Sequence, residues 1–255
     1  MAIIALKAWY LEQYEPAQEL EKRSQDLRLS RNSLLKSGLR ADFLDDSEAV
    51  RQADWFQRYL AGEGVEFYIE GSGTYAISNI DLLSHEIYFT KQASLVQQDP
   101  SIFFCYQTDY DESSALLRDG LEALIEKVNQ RSRLPLTLEE ATRTGAGALK
   151  RNSPLMRKLR KSLLFVADGT SVAQLPGPPP ALIPSASVCV ELGYALQCKR
   201  PEQIILVRQE RDDLPGHFPF EMPSEQQIIF HNAADLKAQL KAKVESELKR
   251  YKLLK

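Results

Sequence analysis

The sequence predicts two units in tandem: a small α+β unit over residues 1–98, and an α/β unit over 99–255 built on five parallel strands with helices on both faces. Three observations carry this reading. Apolar residues alternate with a period of two in the first part. In the second part, short apolar runs alternate with helical-period segments. The charge texture also changes: residues 1–98 hold ten basic and fifteen acidic residues, leaving the remainder slightly basic.

In the first unit, the apolar run Ile3 to Tyr10 opens the chain, and a polar stretch rich in Glu, Arg and Ser follows. A helix is expected over Ser47–Ala61, with Val50, Trp55 and Leu60 sharing part of a face. Three strands follow, at Val65–Glu70, Thr74–Asn79 and His85–Thr90, marked by the alternation of Val65, Phe67, Ile69 and of Ile87, Phe89. Gly71-Ser72-Gly73 reads as the hairpin turn between the first two. No chemical constellation stands out here.

In the second unit, Ser101–Tyr106 is compact and apolar, as in a strand buried on both faces. Asp111–Arg131 places Leu117, Leu121, Leu124, Ile125 and Val128 at helical spacing. A short strand at Pro135–Glu139, a loop with Gly145 and Gly147, a basic helix at Ser153–Lys161 and a strand at Leu163–Asp168 come next. A proline-rich loop over 169–186 leads to a helix at Ala186–Gln197, in which Val188, Leu192, Ala195 and Leu196 share a face. Strands at Gln203–Val207 and Gln227–Phe230 precede a final helix, Ala233 to Tyr251, with Leu236, Leu240, Val244 and Leu248 every fourth residue. This alternation belongs to a doubly wound sheet, and five strands suit the flavodoxin-like order.

Composition narrows the function. No apolar run approaches the roughly 18 residues a bilayer span needs, so no membrane partner is expected. The start lacks a basic n-region and a long apolar core, which predicts a cytoplasmic protein. A net charge of -3 gives no electrostatic reason to expect nucleic-acid binding. Cys105 and Cys189 lie in apolar stretches and are expected as buried, reduced thiols; without a CxxC, and with three scattered histidines, no metal site is expected. Nor is there a Gly-rich dinucleotide fingerprint after a strand, a P-loop or a GxSxG elbow.

In doubly wound sheets ligands sit at the carboxyl ends of the strands. That rule directs attention to the loops at Tyr106–Asp111, Ala141–Gly147, Asp168–Ser187 and Arg208–Pro215. Glu191 stands inside an otherwise apolar helix start, one turn after Ser187. Two readings are open for it. An acid near a helix N-terminus is stabilised by the macrodipole, and a helix starting at the carboxyl edge could aim the carboxylate into the crevice. The adjacent Gly193 suggests close approach of a backbone or ligand.

The succession Ile102-Phe103-Phe104-Cys105-Tyr106-Gln107-Thr108-Asp109, then Leu163–Asp168, then Ser187-Val188-Cys189-Val190-Glu191-Leu192-Gly193-Tyr194-Ala195 resembles the bacterial TIR-like, nucleotide-binding domains. Residues 200–207 and 214–220 extend the resemblance, which covers about 101–232. The Glu-Leu-Gly element also occurs in related nucleoside deoxyribosyltransferases. The chain departs from the family at Cys105, where Ser is common, and at Ala186-Ser187, where Pro-Asn is common.

The resemblance implies a TIR-like fold and a signalling enzyme that hydrolyses the nicotinamide–ribose bond of NAD, with NAD as substrate and no tightly bound cofactor. Glu191 matches the catalytic glutamate. A carboxylate there can stabilise the oxocarbenium-like ribose as a leaving group that is already cationic departs. The candidate nucleotide contacts are Tyr106 and Gln107 at a strand end, Asp109 and Asp168 for ribose, Arg143 for a pyrophosphate, and Ser187 before the glutamate. Each also has an ordinary loop or capping role. The rival readings are a non-catalytic nucleotide-sensing or assembly module and a deoxyribosyltransferase with Glu191 as nucleophile. Homo-oligomers are expected, since TIR-like sites are often completed across subunits.

Overall fold

The computed structural model describes residues 5–30, 38–92, 95–140, 153–219 and 221–254. The chain divides into two compact units, Met1–Gln98 and Asp99–Lys255.

The first unit is a six-stranded antiparallel sheet ordered β2-β1-β4-β5-β6-β3. Its strands are β1 (Ala5–Tyr10), β2 (Leu27–Ser30), β3 (Gly38–Asp42), β4 (Glu66–Ile69), β5 (Gly73–Asp81) and β6 (Glu86–Lys91). A bridge between Leu29 and Phe43 joins the two ends of the sheet, which therefore curls towards a barrel. Gly71 and Gly73, at φ +68° and +114°, take the left-handed turn that brings Ile69 opposite Gly73.

A short helix, α1 (Ala17–Leu20), follows β1. The helix expected over Ser47–Ala61 is two, α2 (Ser47–Gln52) and α3 (Asp54–Leu60), separated by an extended Ala53 at ψ 138°. Val50 and Trp55 are five residues apart, which puts them about 140° apart on one continuous helix. The break lets both enter the core, while Leu60 ends 63% exposed instead of sharing their face. Trp55 packs edge-on against Phe67 at 5.1 Å and Phe56 at 5.9 Å.

The second unit is an α/β layer with a five-stranded, all-parallel sheet. In chain order its strands are β7 (Asp99–Cys105), β8 (Thr137–Glu140), β9 (Ser162–Asp168), β12 (Ile204–Gln209) and β13 (Gln227–Phe230), and in space they run β13-β12-β9-β7-β8. The order reverses between β7 and β9, so the connections leave these neighbours in opposite directions.

Strand alternation sorts the core. Phe103, Cys105, Phe165, Ala167, Ile204 and Leu206 pack with Leu159 of α5 (Pro154–Lys161) and with Val188, Leu192 and Ala195 of α6 (Ala186–Cys198). On the opposite face, α4 (Asp111–Asn129) and α7 (Ala233–Arg250) lie side by side. Their approach is close enough that a Cβ on Gly120 would stand 3.3 Å from Leu240 Cδ2. Local chemistry sets the helix starts. Ser153 Oγ accepts from Met156 N at 3.3 Å, and Asn232 Oδ1 accepts from Ala234 N and Asp235 N at 3.1 and 3.0 Å.

The proline-rich segment expected as a loop contains a hairpin, β10 (Ser171–Leu175) and β11 (Ala181–Pro184). Pro176 to Pro180 form its tip, while Pro184 stands in the ladder opposite Ser171, where the register shifts between Ser171 and Ala173. The 211–217 loop lies beside it, with Leu182 N donating to His217 O and His217 N donating to Pro180 O, both at 2.9 Å.

Three details of the expected packing differ. Leu196 is 55% exposed and not part of the inward face of α6. Gly193 faces open space, with nothing within 4 Å of where a Cβ would stand, so no close approach explains it. Cys105 is buried, whereas Cys189 is only half-buried.

Candidate functional site

The carboxyl edge of the parallel sheet has two distinct parts. At the switch point between β7 and β9, Asp168 ends its strand fully buried. Its Oδ2 accepts from the hydroxyls of Ser113 at 2.6 Å and Ser114 at 2.7 Å, both in the first turn of α4, and its Oδ1 accepts from Thr170 N at 3.0 Å. Gln107, also fully buried, donates its backbone N–H to Ser114 Oγ and its Nε2 to Thr170 O, each at 3.0 Å. Thr170 Oγ1 in turn accepts from Gln209 N at 2.9 Å. The strand-end rule thus leads to a polar junction, but one filled by the protein's own side chains.

A carboxylate accepting three short hydrogen bonds in a buried site is well satisfied. Its effect is to clamp the start of α4 to the ends of β9 and β12.

The other candidate residues lie around this junction without converging. Tyr106 is half-buried and sits 5.2 Å from the guanidinium of Arg118, which is paired with Glu140 at 2.6 Å. Asp109 is exposed. Ser187 Oγ lies 3.0 Å from Ser185 Oγ at the start of α6. Arg143 falls outside the described residues. Glu191 is 2% exposed, on the inward side of α6 with Val188, Leu192 and Ala195. Burial also raises the Cys189 thiol above its ordinary range, which disfavours the thiolate.

The open part of the edge lies beyond β12 and β13. There a cleft of about 420 Å³ is walled by Ser171 of the hairpin, by Arg208, Gln209, Glu210 and Arg211 at and after the end of β12, and by His231 after β13. Its size falls in the range of small-ligand sites. Glu191, Gln107 and Asp168 do not line it.

Arg211 is fixed from three sides. It is ion-paired with Asp213 at 2.5 Å, donates to Ser171 O at 3.2 Å, and stacks 4.1 Å from the Tyr110 ring. Its guanidinium holds the Asp213 carboxyl below the ordinary range. Glu210 faces His231 at 3.5 Å.

Arg208 is different. Its guanidinium lies 5.1 Å from the Phe218 ring, and its Nε is buried with no hydrogen-bond partner among the described residues. Burial lowers its pKa, partly opposed by Glu210. Gln209 Oε1 is likewise buried and unpartnered. One cleft is therefore lined by two residues with unmet polar atoms, one a donor and one an acceptor. The strand-end rule reaches the stretch Arg208–Pro215 in the sequence, but nothing local distinguishes Arg208 from Arg211, because their partners come from elsewhere in the chain.

No known protein-family profile matches this chain, and no curated protein matches it. Among solved structures, a fragment designated a lipoprotein from Peptoclostridium difficile 630 aligns with 59% of this chain and 99% of its own length, at 12% identity and a TM-score of 0.29. A likeness that low carries no argument about fold or function.

Proposed function

We propose that the second unit binds a nucleotide-type ligand in the β12–β13 cleft, as a sensing module without turnover. The observation that carries this reading is Arg208, which lines a cleft at the carboxyl edge and has no ion pair among the described residues. A ligand with an anionic oxygen, as in a nucleotide phosphate, supplies the guanidinium with that pair. The strand order, which is the flavodoxin-like one, and the TIR-like sequence resemblance support the same ligand class.

Burial of Glu191 supports binding over catalysis. The residue is 2% exposed and does not line the cleft in which the ligand is placed. The hydrolase reading, with NAD as substrate, needs that helix to open.

The experiment is calorimetric titration with AMP, ADP-ribose and NAD, run beside an assay for free nicotinamide. The module reading predicts saturable binding, no nicotinamide release, and weakening by Arg208→Ala. Nicotinamide release abolished by Glu191→Gln would replace it with the hydrolase. Base exchange between deoxynucleosides would point to the transferase instead.

A further inference from the structure

α6 differs from the other helices of the second unit. Their outward faces are charged: Glu122 and Glu126 on α4, Arg157 and Arg160 on α5, and Lys237 and Lys241 on α7 are exposed. On α6 the exposed residues are Ala186, Val190, Gly193, Leu196 and Gln197, none of them charged. At 3.6 residues per turn they fall within an arc of about 120°, opposite the inward Val188, Leu192 and Ala195. Val190 and Leu196 are 48% and 55% exposed. A helix with an uncharged, largely apolar outer face as well as an apolar inner one is suited to burial on both sides.

Gly193 stands at the centre of the arc. Glycine weakens a helix interior, and nothing in the chain lies within 4 Å of where its Cβ would stand. The missing side chain lowers the middle of the face, which suits a second helix lying close along it.

The flanks of this face carry opposite charge. On one side α5 packs beside α6, and Arg160 lies near enough to oppose the burial that raises the Cys198 thiol. On the other side Phe218 and Met222 pack into the same core, and Met222 O accepts from Gln227 Nε2 of β13 at 2.5 Å. Glu221 and Glu225, next to them in the chain, are exposed.

We propose that this face pairs with itself in a second copy of the chain, the two α6 helices running parallel about a two-fold axis along their length. Such an axis sets the uncharged stripe against itself and exchanges the flanks, so the basic α5 of each copy meets the acidic flank of the other. A two-fold with α6 antiparallel sets α5 against α5, and charge disfavours it. The proposal rests on the second unit alone and is independent of the nucleotide reading.

Sedimentation velocity of the full chain at micromolar concentration tests it and should show a dimer. Leu196→Asp puts a charge on the stripe and should weaken dimerisation by more than about tenfold, with the melting temperature of the exposed-site variant within about 2 °C of the parent. Arg160→Glu should weaken it on the order of tenfold, because symmetry counts each flank contact twice. Gln197 meets its own mate only in the parallel pair, so Gln197→Cys in a Cys189→Ser background should form a covalent dimer on mild oxidation. A monomer at every concentration, a dimer indifferent to Leu196→Asp, or a dimer tightened by Arg160→Glu overturns the proposal. If Leu196→Asp fails to fold, the Gln197→Cys cross-link decides: its presence supports the parallel pair and its absence overturns it.

Discussion

The two halves of the carboxyl edge of the parallel sheet are built from similar residue types and end in opposite states. At β7 and β9, Asp168, Ser113, Ser114, Thr170 and Gln107 bond to one another out of solvent, with the Asp168 carboxylate fully bonded although Gln107 Oε1 has no partner among the described residues. At β12 and β13, Arg208 and Gln209 keep polar atoms unmet beside a cleft. The difference teaches that polar residues at strand ends do not identify a binding site by type or position. What separates a structural clamp from a receptor is whether the charged group is already bonded within the chain, as the Asp168 carboxylate is and the Arg208 guanidinium is not among the described residues.

The clamp should respond through stability. Asp168→Ala leaves the Ser114 hydroxyl and the Thr170 N–H without an acceptor and the Ser113 hydroxyl with only its 3.3 Å bond to Tyr110 O, at a cost of about 3–5 kcal/mol. For a unit of this size that lowers the melting temperature by roughly 10 °C. A variant that melts with the parent breaks the comparison, because the junction then holds nothing together.

The cleft should respond through affinity. Arg208→Ala removes a charge-assisted contact worth about 1.5–3 kcal/mol, or roughly 10–100-fold in AMP affinity by calorimetry. Its melting temperature should stay within about 2 °C of the parent, since Arg208 has no ion pair among the described residues. A large thermal shift with unchanged affinity would make Arg208 a second clamp.

Glu191 sharpens the contrast from a third position. Glu191→Gln keeps the shape of a buried side chain, so stability should change by about 1–2 kcal/mol and AMP affinity by less than about twofold. A loss of affinity larger than that of Arg208→Ala would return the ligand to α6 and to the catalytic reading.

These regions are unequally legible in the sequence. β7, α4, β13 and α7 announce themselves through local period, as in Leu236, Leu240, Val244 and Leu248, all buried. The hairpin is hidden because Pro176 to Pro180 signal a turn more strongly than four- and five-residue strands signal a ladder. β2 and β3 are hidden for a similar reason: four or five residues inside a polar stretch have no measurable period. Asp168 stands out in the sequence, but its role does not, since Ser113 lies 55 residues away in sequence and only folding brings its hydroxyl within 2.6 Å. Arg208 goes unmarked for the converse reason: what distinguishes it is a missing partner, and no sequence displays that.

The opposite, amino-terminal edge of the sheet gives the smallest effect. Lys199 donates to Ser162 O at 2.5 Å, and burial lowers its pKa to about 8. A lysine depressed in the folded state binds more protons when unfolded, so its penalty is full below pH 8 and fades as pH rises towards 10.5. Cys198, raised by burial, opposes this at alkaline pH. The difference in melting temperature between Lys199→Met and the parent should therefore shrink by a few degrees from about pH 7 to about pH 10. A constant difference would show that Lys199 stays fully charged in place.

The most direct test of the central claim is the position of a bound mononucleotide, obtained by solving the crystal structure of the protein with AMP at saturation. Density is expected in the β12–β13 cleft, with a phosphate oxygen on the Arg208 guanidinium, while the Asp168 junction keeps its three hydrogen bonds. Density lodged at Asp168 or against Glu191, with the cleft empty, would contradict it.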